Sequence, residues 1–461
     1  MNLTLDHTTL HRAAKYFMDS GKAASHEAAM NLLQQFGLTI YVGEEIRSSA
    51  AHQIALLTIV NVTRRTLLGG VEVIGLPDCD SLTALAPNTG LKEAVMALGG
   101  TPVAVARPEW PTALIGSVED YSNKDTAWRV TWEGWRAGAA PLMIGDRLSE
   151  DNSMALAPAL AAAVCAGEVF SHYAGDHPMA GRRTAGLSLW QPGADWLDVD
   201  ESEPELAFLP SNLWIIGLGN LGQAFAWLLA LMPYETPQEL QLVLQDYDRI
   251  APSNDSTSLL SYKHDTNKMK ARVVADWLDK RGFTTFIEER RFGPWTKRHA
   301  DEPGVALCGV DNALARSALD QAGFPLIVEA GLGGGPQAFR SLGIHTFPSS
   351  RTAAEIWAKQ VALADTSTED MPAYQALKKS GIDACGLTQL ASRTVGVPFV
   401  GLIAACLAMS ELLRRLHGGK AFEFIAGSTA TLQDIEFGTL HAPPYAHGYT
   451  RAMPMGWPTA P

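Results

Sequence analysis

Short apolar runs alternate with longer helical stretches along the first part of the chain. The apolar runs lie at residues 38–43, 72–75, 102–106 and 141–145. A helical stretch at 51–68 separates the first two runs, and a helix of small residues is predicted over 155–173. Alternation of short strands and helices predicts βαβ units with parallel strands.

The second part of the chain repeats this plan with clearer boundaries. Its apolar runs lie at residues 213–217, 240–246, 305–310 and 325–328. A helix is predicted over 221–232, directly after the first of these runs, and a closing helix over 400–416 ends at Gly418 and Gly419. The repetition predicts two tandem domains of the same α/β kind.

The stretch from Leu213 to Met232 carries no formal charge and has the length of a membrane span. It contains Asn220, Gln223 and three glycines near its start. This pattern favours a buried strand, turn and helix over a membrane helix. We therefore expect no association with a membrane.

The domain boundaries follow from shifts in composition. Residues 181–210 are rich in Pro, Gly, Asp and Glu, which predicts a solvated linker between a first domain (1–180) and a second domain (211–425). Residues 426–461 form a tail with a proline-rich end. The second domain is the longer one, because it holds an insertion between residues 345 and 398, here called the crossover segment. Insertions of this length in compact domains are usually functional.

Charge and composition exclude several classes of protein. The 461 residues include 36 Lys and Arg against 49 Asp and Glu, a formal net charge of −13. Nucleic-acid binding depends on a basic surface, so we expect no nucleic-acid partner. The 47% hydrophobic content is enough for a large core. Five cysteines without a CxxC pair, and no secretory signal at the start, predict a cytoplasmic location without disulfides or structural zinc.

A glycine-rich turn predicts a nucleotide site in the second half. Gly217, Gly219 and Gly222 come at the end of an apolar run and open the predicted helix. Glycines permit a tight turn, and the helix N-terminus presents unpaired N–H groups to phosphate oxygens. Asp246, at the end of the next run, is the acidic residue expected at a ribose hydroxyl. On these residues alone, a nicotinamide oxidoreductase remains an open interpretation.

Three further motifs follow the glycine turn in a fixed order. They are Asp-Tyr-Asp-Arg-Ile-Ala-Pro-Ser-Asn at 246–254, Asp-Thr-Asn-Lys-Met-Lys-Ala at 265–271, and Val-Asp-Asn-Ala-Leu-Ala-Arg at 310–316. The series resembles the ThiF/MoeB/ubiquitin-activating superfamily, whose pattern reads DxDxVxxSN, DxGxxKA and TDNxxxR. The resemblance extends over residues 205–420. It implies an adenylating enzyme with Rossmann-like domains that uses ATP and Mg²⁺.

The resemblance also implies roles for residues of the first motif. Asp246 would bind the ribose of ATP, and Asp248 belongs to the same acidic pair. Ser253 and Asn254 would line the triphosphate. In the family an arginine commonly stands three residues after the asparagine, and here Thr257 takes that place. The missing cation puts either the activity or the phosphate geometry in doubt.

In the later motifs the resemblance implies that Lys270 contacts phosphate, although its neighbour Lys268 remains an alternative. Asp311 would hold Mg²⁺ near the α-phosphate, with Asn312 beside it. The chemistry is coherent, because a carboxylate that attacks an α-phosphorus needs the repulsion between two anions removed. A lysine, a helix N-terminus and a hard cation on a carboxylate achieve this together. Arg12 resembles the arginine that family members send across a dimer or pseudo-dimer to the nucleotide.

The first half lacks these motifs. Its opening strand is followed by Gly-Glu-Glu-Ile-Arg-Ser-Ser-Ala at 43–50, so Glu44 and Glu45 stand where phosphates need donors. The first half therefore resembles a degenerate copy that keeps the fold without the nucleotide site. Ubiquitin-type activating enzymes pair an inactive and an active adenylation domain in this way, which implies a pseudo-dimer within one chain. An unrelated α/β domain is the alternative.

One cysteine is a candidate nucleophile. Cys385 lies in the crossover segment just before the closing helix, near Arg393. The activating enzymes of autophagy and of the ubiquitin-fold modifier place their thioester cysteine similarly, and a nearby cation or helix N-terminus lowers a thiol pKa. We expect the remaining cysteines of apolar segments to serve packing; these are Cys165, Cys308 and Cys406.

The sequence thus predicts an α/β chain of two tandem Rossmann-like, ThiF-type domains. The implied function is Mg·ATP-dependent adenylation of the C-terminal carboxylate of a ubiquitin-like protein. Thioester formation on Cys385 and transfer to a conjugating enzyme would follow. By its length and low charge the chain most resembles bacterial activating enzymes of antiviral conjugation operons. A sulfur-carrier or peptide adenylyltransferase without a thioester, and an inactive scaffold, are the alternatives.

Overall fold

A computed structural model of the chain describes residues 5–118, 121, 126–362, 371–379, 382 and 384–456. The helices are Arg12–Asp19 (α1), His26–Gln34 (α2), Ala50–Thr63 (α3), Leu91–Ala97 (α4), Leu156–Ala174 (α5), Asn220–Leu231 (α6), Lys270–Asp279 (α7), Ala313–Arg316 (α8), Ala353–Ala362 (α9), Pro372–Lys379 (α10), Ala384–Ala391 (α11) and Pro398–Leu416 (α12).

The strands of the first half are Gly37–Val42 (β1), Gly70–Ile74 (β2), Thr101–Pro102 (β3), Thr112–Ile115 (β4), Ala127–Glu133 (β5), Arg136–Pro141 (β6) and Ala185–Ser188 (β7). Those that follow are Phe208–Pro210 (β8), Asn212–Ile216 (β9), Gln241–Gln245 (β10), Thr285–Glu288 (β11), Val305–Cys308 (β12), Leu326–Leu332 (β13), Ser341–Phe347 (β14), Ala421–Ser428 (β15), Thr431–Leu440 (β16) and Tyr449–Arg451 (β17).

Two large sheets share one strand order. The first runs β3-β2-β1-β4-β5-β6-β7, and the second runs β11-β10-β9-β12-β13-β14-β15-β16. In each sheet the first five strands are parallel, and antiparallel pairing begins at the sixth. An order that reverses direction after the central strand is that of doubly wound Rossmann-like sheets. The prediction of an α/β chain with two Rossmann-like sheet domains is confirmed.

Two apolar runs of the first half were expected to be strands and are not. Of residues 102–106 only Pro102 belongs to a strand, and residues 142–144 form a turn after β6. Both runs begin with a proline, which cannot donate to a strand ladder. Their apolar side chains also stay outside the core, as the 80% exposure of Val105 shows.

The first sheet extends into the predicted linker. Residues 185–188 form β7, which pairs antiparallel with β6. A Cβ at Gly186 would lie 2.4 Å from the ring of Trp196, so this strand packs closely beneath a buried tryptophan. The predicted linker at 181–210 therefore contains a strand, which its small residues did not indicate. The second sheet likewise continues past residue 425, through β15 and β16.

The helices between the two sheets are buried on all sides. Every residue of α3 is buried, and α6 is buried except at its first residue. Helix α5 packs against α3 and α12, and α12 also packs against α6, so one hydrophobic cluster includes residues of both halves. Helices that are apolar all round belong in such a core. Among the described residues, no helix is long and apolar enough to cross a membrane.

Candidate functional site

A pocket of about 400 Å³ opens at the carboxyl ends of the second sheet's parallel strands. It lies where the strand order reverses between β9 and β12, the position at which open α/β sheets bind ligands. Its walls come from the turns after β9, β10, β11, β12 and β13, from the first helix of the chain, and from residues 393–396 of the crossover segment.

The glycine turn after β9 has two kinds of glycine. At Gly222 a Cβ would lie 1.8 Å from the carbonyl oxygen of Gly217, and Gly217 itself has a φ of 82°, so the turn requires both. At Gly219, which lines the pocket, a Cβ would meet no protein atom within 4 Å. The space above Gly219 therefore belongs to the pocket and is available to a ligand.

Helix α6 begins directly after this turn. Its N-cap residue is Gly219, and no side chain caps the first N–H groups. Asn220 lines the pocket beside them, while its Nδ2 donates a hydrogen bond to the carbonyl of Val397, 3.2 Å away. Uncapped N–H groups at a helix start favour an anion.

Two carboxylates form the wall at the end of β10. Asp246 accepts hydrogen bonds from the backbone N–H groups of Leu218 (2.6 Å) and Asp248 (2.7 Å). Burial raises the pKa of Asp246, against the effect of Lys270 and these hydrogen bonds. Asp248 in turn accepts from Nζ of Lys270 at 2.9 Å. The acidic pair predicted from the sequence thus lies in the pocket.

Lys270 is the lysine that the fold brings to the pocket. Burial acts to lower the pKa of Lys270, but the nearby carboxylates of Asp246, Asp248 and Asp311 outweigh it and raise that pKa. The side chain is therefore a buried cation, only 11% exposed. Lys268 does not line the pocket, is 58% exposed and pairs with the carboxylate of Asp265.

Asp311 and Asn312 follow β12 and both line the pocket. Oδ1 of Asn312 caps α8 by accepting from the N–H groups of Leu314 (2.9 Å) and Ala315 (3.2 Å), so this side chain shapes the turn. Asp311 is exposed at the pocket surface. Magnesium is commonly held by one or two carboxylates together with substrate phosphates. Asp311, with Asp248 nearby, fits such a role.

The loop after β10 contributes some of its predicted residues to the pocket. Asn254 and Thr257 line it, together with Ser258, which the sequence analysis did not single out. Ser253 does not line it: this buried residue donates its backbone N–H to the carbonyl of Thr8. Ser253 therefore fastens the loop to the start of the chain.

Arg12 reaches the pocket from the first turn of α1. Its Nε donates to the carbonyl of Thr394 at 2.6 Å, and its Nη2 to the Thr394 hydroxyl at 2.5 Å. Burial lowers the pKa of Arg12 to about 10, so it is charged at neutral pH. A Cβ at Gly396 would lie 3.0 Å from Thr257 and 3.6 Å from Arg12. Arg12 thus lies beside the position where the family arginine is replaced.

The pocket is rich in cations, and some of them lie outside the sequence motifs. The described lining holds six cationic side chains, namely Arg12, Lys270, Arg290, Arg291, Arg316 and Arg393. It holds three carboxylates, those of Asp246, Asp248 and Asp311. Two of the cations are paired with carboxylates outside the lining, Arg290 with Glu288 and Arg316 with Glu329, so four cations face the three lining carboxylates. A site of this composition favours a multiply charged anion.

Comparison with known proteins identifies both halves. Residues 37–189 match the BilD N-terminal domain, and residues 209–419 match the BilD C-terminal domain. The chain carries both domains of the BilD family. The pocket lies in the BilD C-terminal domain except for Arg12, which precedes both matched regions.

Solved structures of MccB from E. coli resemble the chain distantly. The structure with ATP matches at 13% identity and the structure with MccA-N7isoASN at 14%. Each match covers 51% of this chain and 65% of the MccB chain, with a TM-score of 0.34. The chain thus spans less than two thirds of the MccB chains it matches. A likeness at this distance carries no argument about the site.

Side chains of the BilD N-terminal domain donate hydrogen bonds to a loop of the C-terminal domain that forms part of the pocket wall. Arg65, after the end of α3, is fully buried and donates to the carbonyls of Asp255 (2.7 Å), Leu259 (2.7 Å) and Ser261 (3.0 Å). Asn61 also donates to the Leu259 carbonyl, at 3.2 Å. These bonds hold the loop that places Thr257 and Ser258 in the pocket wall.

A buried ion-pair network holds Arg316 at the opposite wall. Its Nε lies 3.1 Å from Glu329, which is fully buried, and donates to the Val310 carbonyl at 2.7 Å. Nδ1 of His345 lies 3.0 Å from the other oxygen of Glu329. The Arg316 guanidinium also lies over the ring of Trp357 in α9, 4.6 Å from its centre. The start of the crossover segment therefore touches a pocket cation.

The cysteines fall into two groups. Cys165, Cys308 and Cys406 are fully buried, and burial raises the pKa of each thiol, for Cys308 to about 12. Packing is the role that such thiols serve. Cys385 lies within the bounds of α11, but its side chain is outside the part of the chain that the structure describes.

Proposed function

We propose that the chain is an ATP-dependent activating enzyme for a ubiquitin-like protein. It adenylates the partner's C-terminal carboxylate, captures the acyl group on Cys385 as a thioester, and passes it to a cysteine of a conjugating enzyme. Its setting is a bacterial antiviral conjugation system. The proposal rests on the ordered motifs of residues 217–316 and on the BilD family of both halves.

The observation that carries the proposal is the composition of the pocket. Open space above Gly219, an uncapped helix start and six cations suit a polyphosphate. Asp246, which directly follows β10 and lines the pocket, suits a ribose hydroxyl. A nicotinamide enzyme is less well supported, since Lys270 and Asp311 would have no task there.

In the adenylation step a carboxylate oxygen of the partner forms a bond to the α-phosphorus, and the bond to the departing pyrophosphate breaks. Both reactants are anions, so the site must supply positive potential where charge accumulates. Lys270, Arg12 and the start of α6 supply it from three directions. Asp311 would hold Mg²⁺, which neutralises phosphate charge when bound.

In the second step the Cys385 thiolate attacks the acyl carbonyl, a thioester bond forms, and AMP leaves. What supports Cys385 is its place in the chain, since the segment after α11 supplies Arg393, Thr394 and Gly396 to the pocket wall. Cys385 precedes Arg393 by eight residues in the sequence. An ordered cation nearby favours the reactive thiolate.

The test is incubation of the purified protein with Mg·ATP and lysate of its native host, followed by a non-reducing gel and mass spectrometry. We expect an ATP-dependent adduct of small-protein mass that thiol removes. It should be absent in Cys385→Ala and present in Cys79→Ala, a control at a partly exposed cysteine. If wild type and Cys385→Ala form AMP equally and neither forms an adduct, the reaction stops at the adenylate, as in a peptide adenylyltransferase. Absence of ATP binding would indicate a scaffold.

A further inference from the structure

The two sheets bring equivalent residues to equivalent crevices. In the first sheet Val42, the end of β1, pairs with Ile115, the end of β4. In the second sheet Ile216, the end of β9, pairs with Cys308, the end of β12. Position by position, Gly43 therefore corresponds to Gly217, Gly116 to Gly309, and Ser117 to Val310.

By the same count, Glu45 in the first half is equivalent to Gly219 in the second half. Both residues lie three positions after the last residue of the central strand. At Gly219 a side chain would meet no protein atom within 4 Å, whereas the side chain of Glu45 enters its crevice. The first half thus carries a carboxylate where the second half leaves space.

The Glu45 carboxylate lies in a cradle formed by Gly43, Gly116 and the backbone N–H of Ser117. Its two oxygens accept from the backbone N–H of Ser117 at 3.1 and 3.0 Å. Its Oε2 lies 2.5 Å from the Cβ position of Gly43 and 2.8 Å from that of Gly116, so a side chain at either glycine would displace it. Two glycines therefore leave room for the carboxylate, and one backbone N–H donates to it.

Cations surround this cradle. Nη2 of Arg147 lies 3.8 Å from Glu45, and its Nη1 donates to the Ser117 hydroxyl at 3.1 Å. Arg129 donates to the Gly116 carbonyl at 3.1 Å. Among the residues that the structure describes, the buried Glu150 also reaches this cluster and pairs with Arg147 at 2.7 Å.

We propose that the first crevice is a binding site for a phosphate-sized oxyanion and that Glu45 fills it from within the chain. In the wild-type protein the carboxylate satisfies the Ser117 N–H and excludes an external anion. Removal of the carboxylate opens the site to inorganic phosphate. This inference concerns a different crevice from the proposed ATP site, so either can fail without the other.

The test compares Glu45→Ala with Glu44→Ala. Glu44 is the adjacent acid, 86% exposed and paired with Arg47, so its removal changes the charge equally without opening the crevice. Phosphate binding is measured by calorimetry, and melting temperature is followed, at constant ionic strength. The second pocket is intact in both variants, so the difference between them reports the first crevice alone.

We expect Glu45→Ala to bind one more phosphate than Glu44→Ala. Its melting temperature should rise by roughly 1–2 °C at ten times the dissociation constant. Glu45→Gln, which keeps the shape of the side chain, should gain no phosphate. If Glu45→Ala does not fold in chloride, phosphate should restore its refolding. An equal phosphate response in Glu45→Ala and Glu44→Ala, or a failure of phosphate to restore refolding, overturns the proposal.

Discussion

The two crevices of this chain have the same strand order and opposite contents. The second is open above Gly219 and lined by an excess of cations. The first is filled by the Glu45 carboxylate at the equivalent position. The sheets are equivalent up to the ends of their central strands, which Gly43 and Gly217 follow. Two residues after these glycines, the first half has Glu45 and the second half has Gly219. The two crevices therefore share a strand order and differ in the side chain that stands at this position.

The first half has nevertheless kept a task in the second. Arg65 and Asn61 hold the loop that carries Thr257 and Ser258, and α3 and α5 are buried in the shared core. The first half thus helps to determine the shape of the pocket in the second half.

The largest effect is expected when the first crevice's arrangement is transferred to the second. Gly219→Glu places a carboxylate in the open space, where it meets the cations and repels a polyphosphate. We expect ATP affinity, measured by calorimetry, to fall by at least about 100-fold, since a like charge at close range disfavours the bound anion by several kcal/mol. The melting temperature should not fall, because no protein atom lies within 4 Å.

Gly335→Glu is the matched control for this change. Gly335 also has no protein atom within 4 Å of its Cβ position, yet it does not line the pocket. The control adds the same charge and volume and should leave ATP affinity near wild type. Similar losses in both variants would mean that the space above Gly219 is not where the anion binds.

The second prediction separates the two lysines that the sequence left open. Lys270→Ala removes a buried cation that three carboxylates keep charged, and ATP affinity should fall roughly 10- to 100-fold, the range for a hydrogen bond to a charged group. Lys268→Ala removes an exposed cation paired with Asp265 and should have little effect. The same titration measures both, and a larger loss in Lys268→Ala would contradict the assignment of Lys270.

The sequence located the pocket because its glycines and acids follow strands directly. Residues at the ends of neighbouring parallel strands meet at one edge of the sheet, so Gly217, Asp246 and Asp311 were placed without tertiary information. Lys270 lies within the second motif, at the start of α7, and was found by the resemblance of that motif. The strand pattern also predicted β9, β10, β12 and β13 of the second sheet, because buried parallel strands are continuously apolar. In the first sheet it predicted only β1 and β2.

The sequence did not reveal residues whose position depends on loop paths. Arg290 and Arg291 follow the outer strand β11, and Arg393 belongs to the crossover segment, so only the folded chain brings them to one wall. Ser253 matched the motif, but the start of the chain binds its backbone and the residue lies outside the pocket. Strand β7 was missed because small residues under Trp196 have no apolar pattern.

The third prediction concerns the cation missing at Thr257. Arg12→Ala should weaken ATP binding by roughly tenfold, the lower end of the range for a charged contact. Because Gly396 brings Thr257 and Arg12 side by side, the double variant Arg12→Ala with Thr257→Arg should recover part of the loss. Arg272→Ala, an exposed arginine paired with Glu289, is the control. A double variant weaker than Arg12→Ala would show that the two positions do not substitute for each other.

The smallest effect on ATP binding is expected from the hydrogen bonds that Arg65 of the first half donates to the loop of the second half. Arg65→Met keeps a similar volume but leaves the carbonyls of Asp255, Leu259 and Ser261 without their donor, so the free energy of unfolding should fall by about 2–4 kcal/mol. ATP affinity should fall by only about threefold, because one wall loosens while every charged contact stays. Arg64→Ala, which removes the neighbouring and partly exposed ion pair to Asp255, should change both quantities less. If Arg65→Met loses ATP binding without losing stability, Arg65 acts on the nucleotide directly, and the first half would then contribute chemistry to the second crevice in addition to its shape.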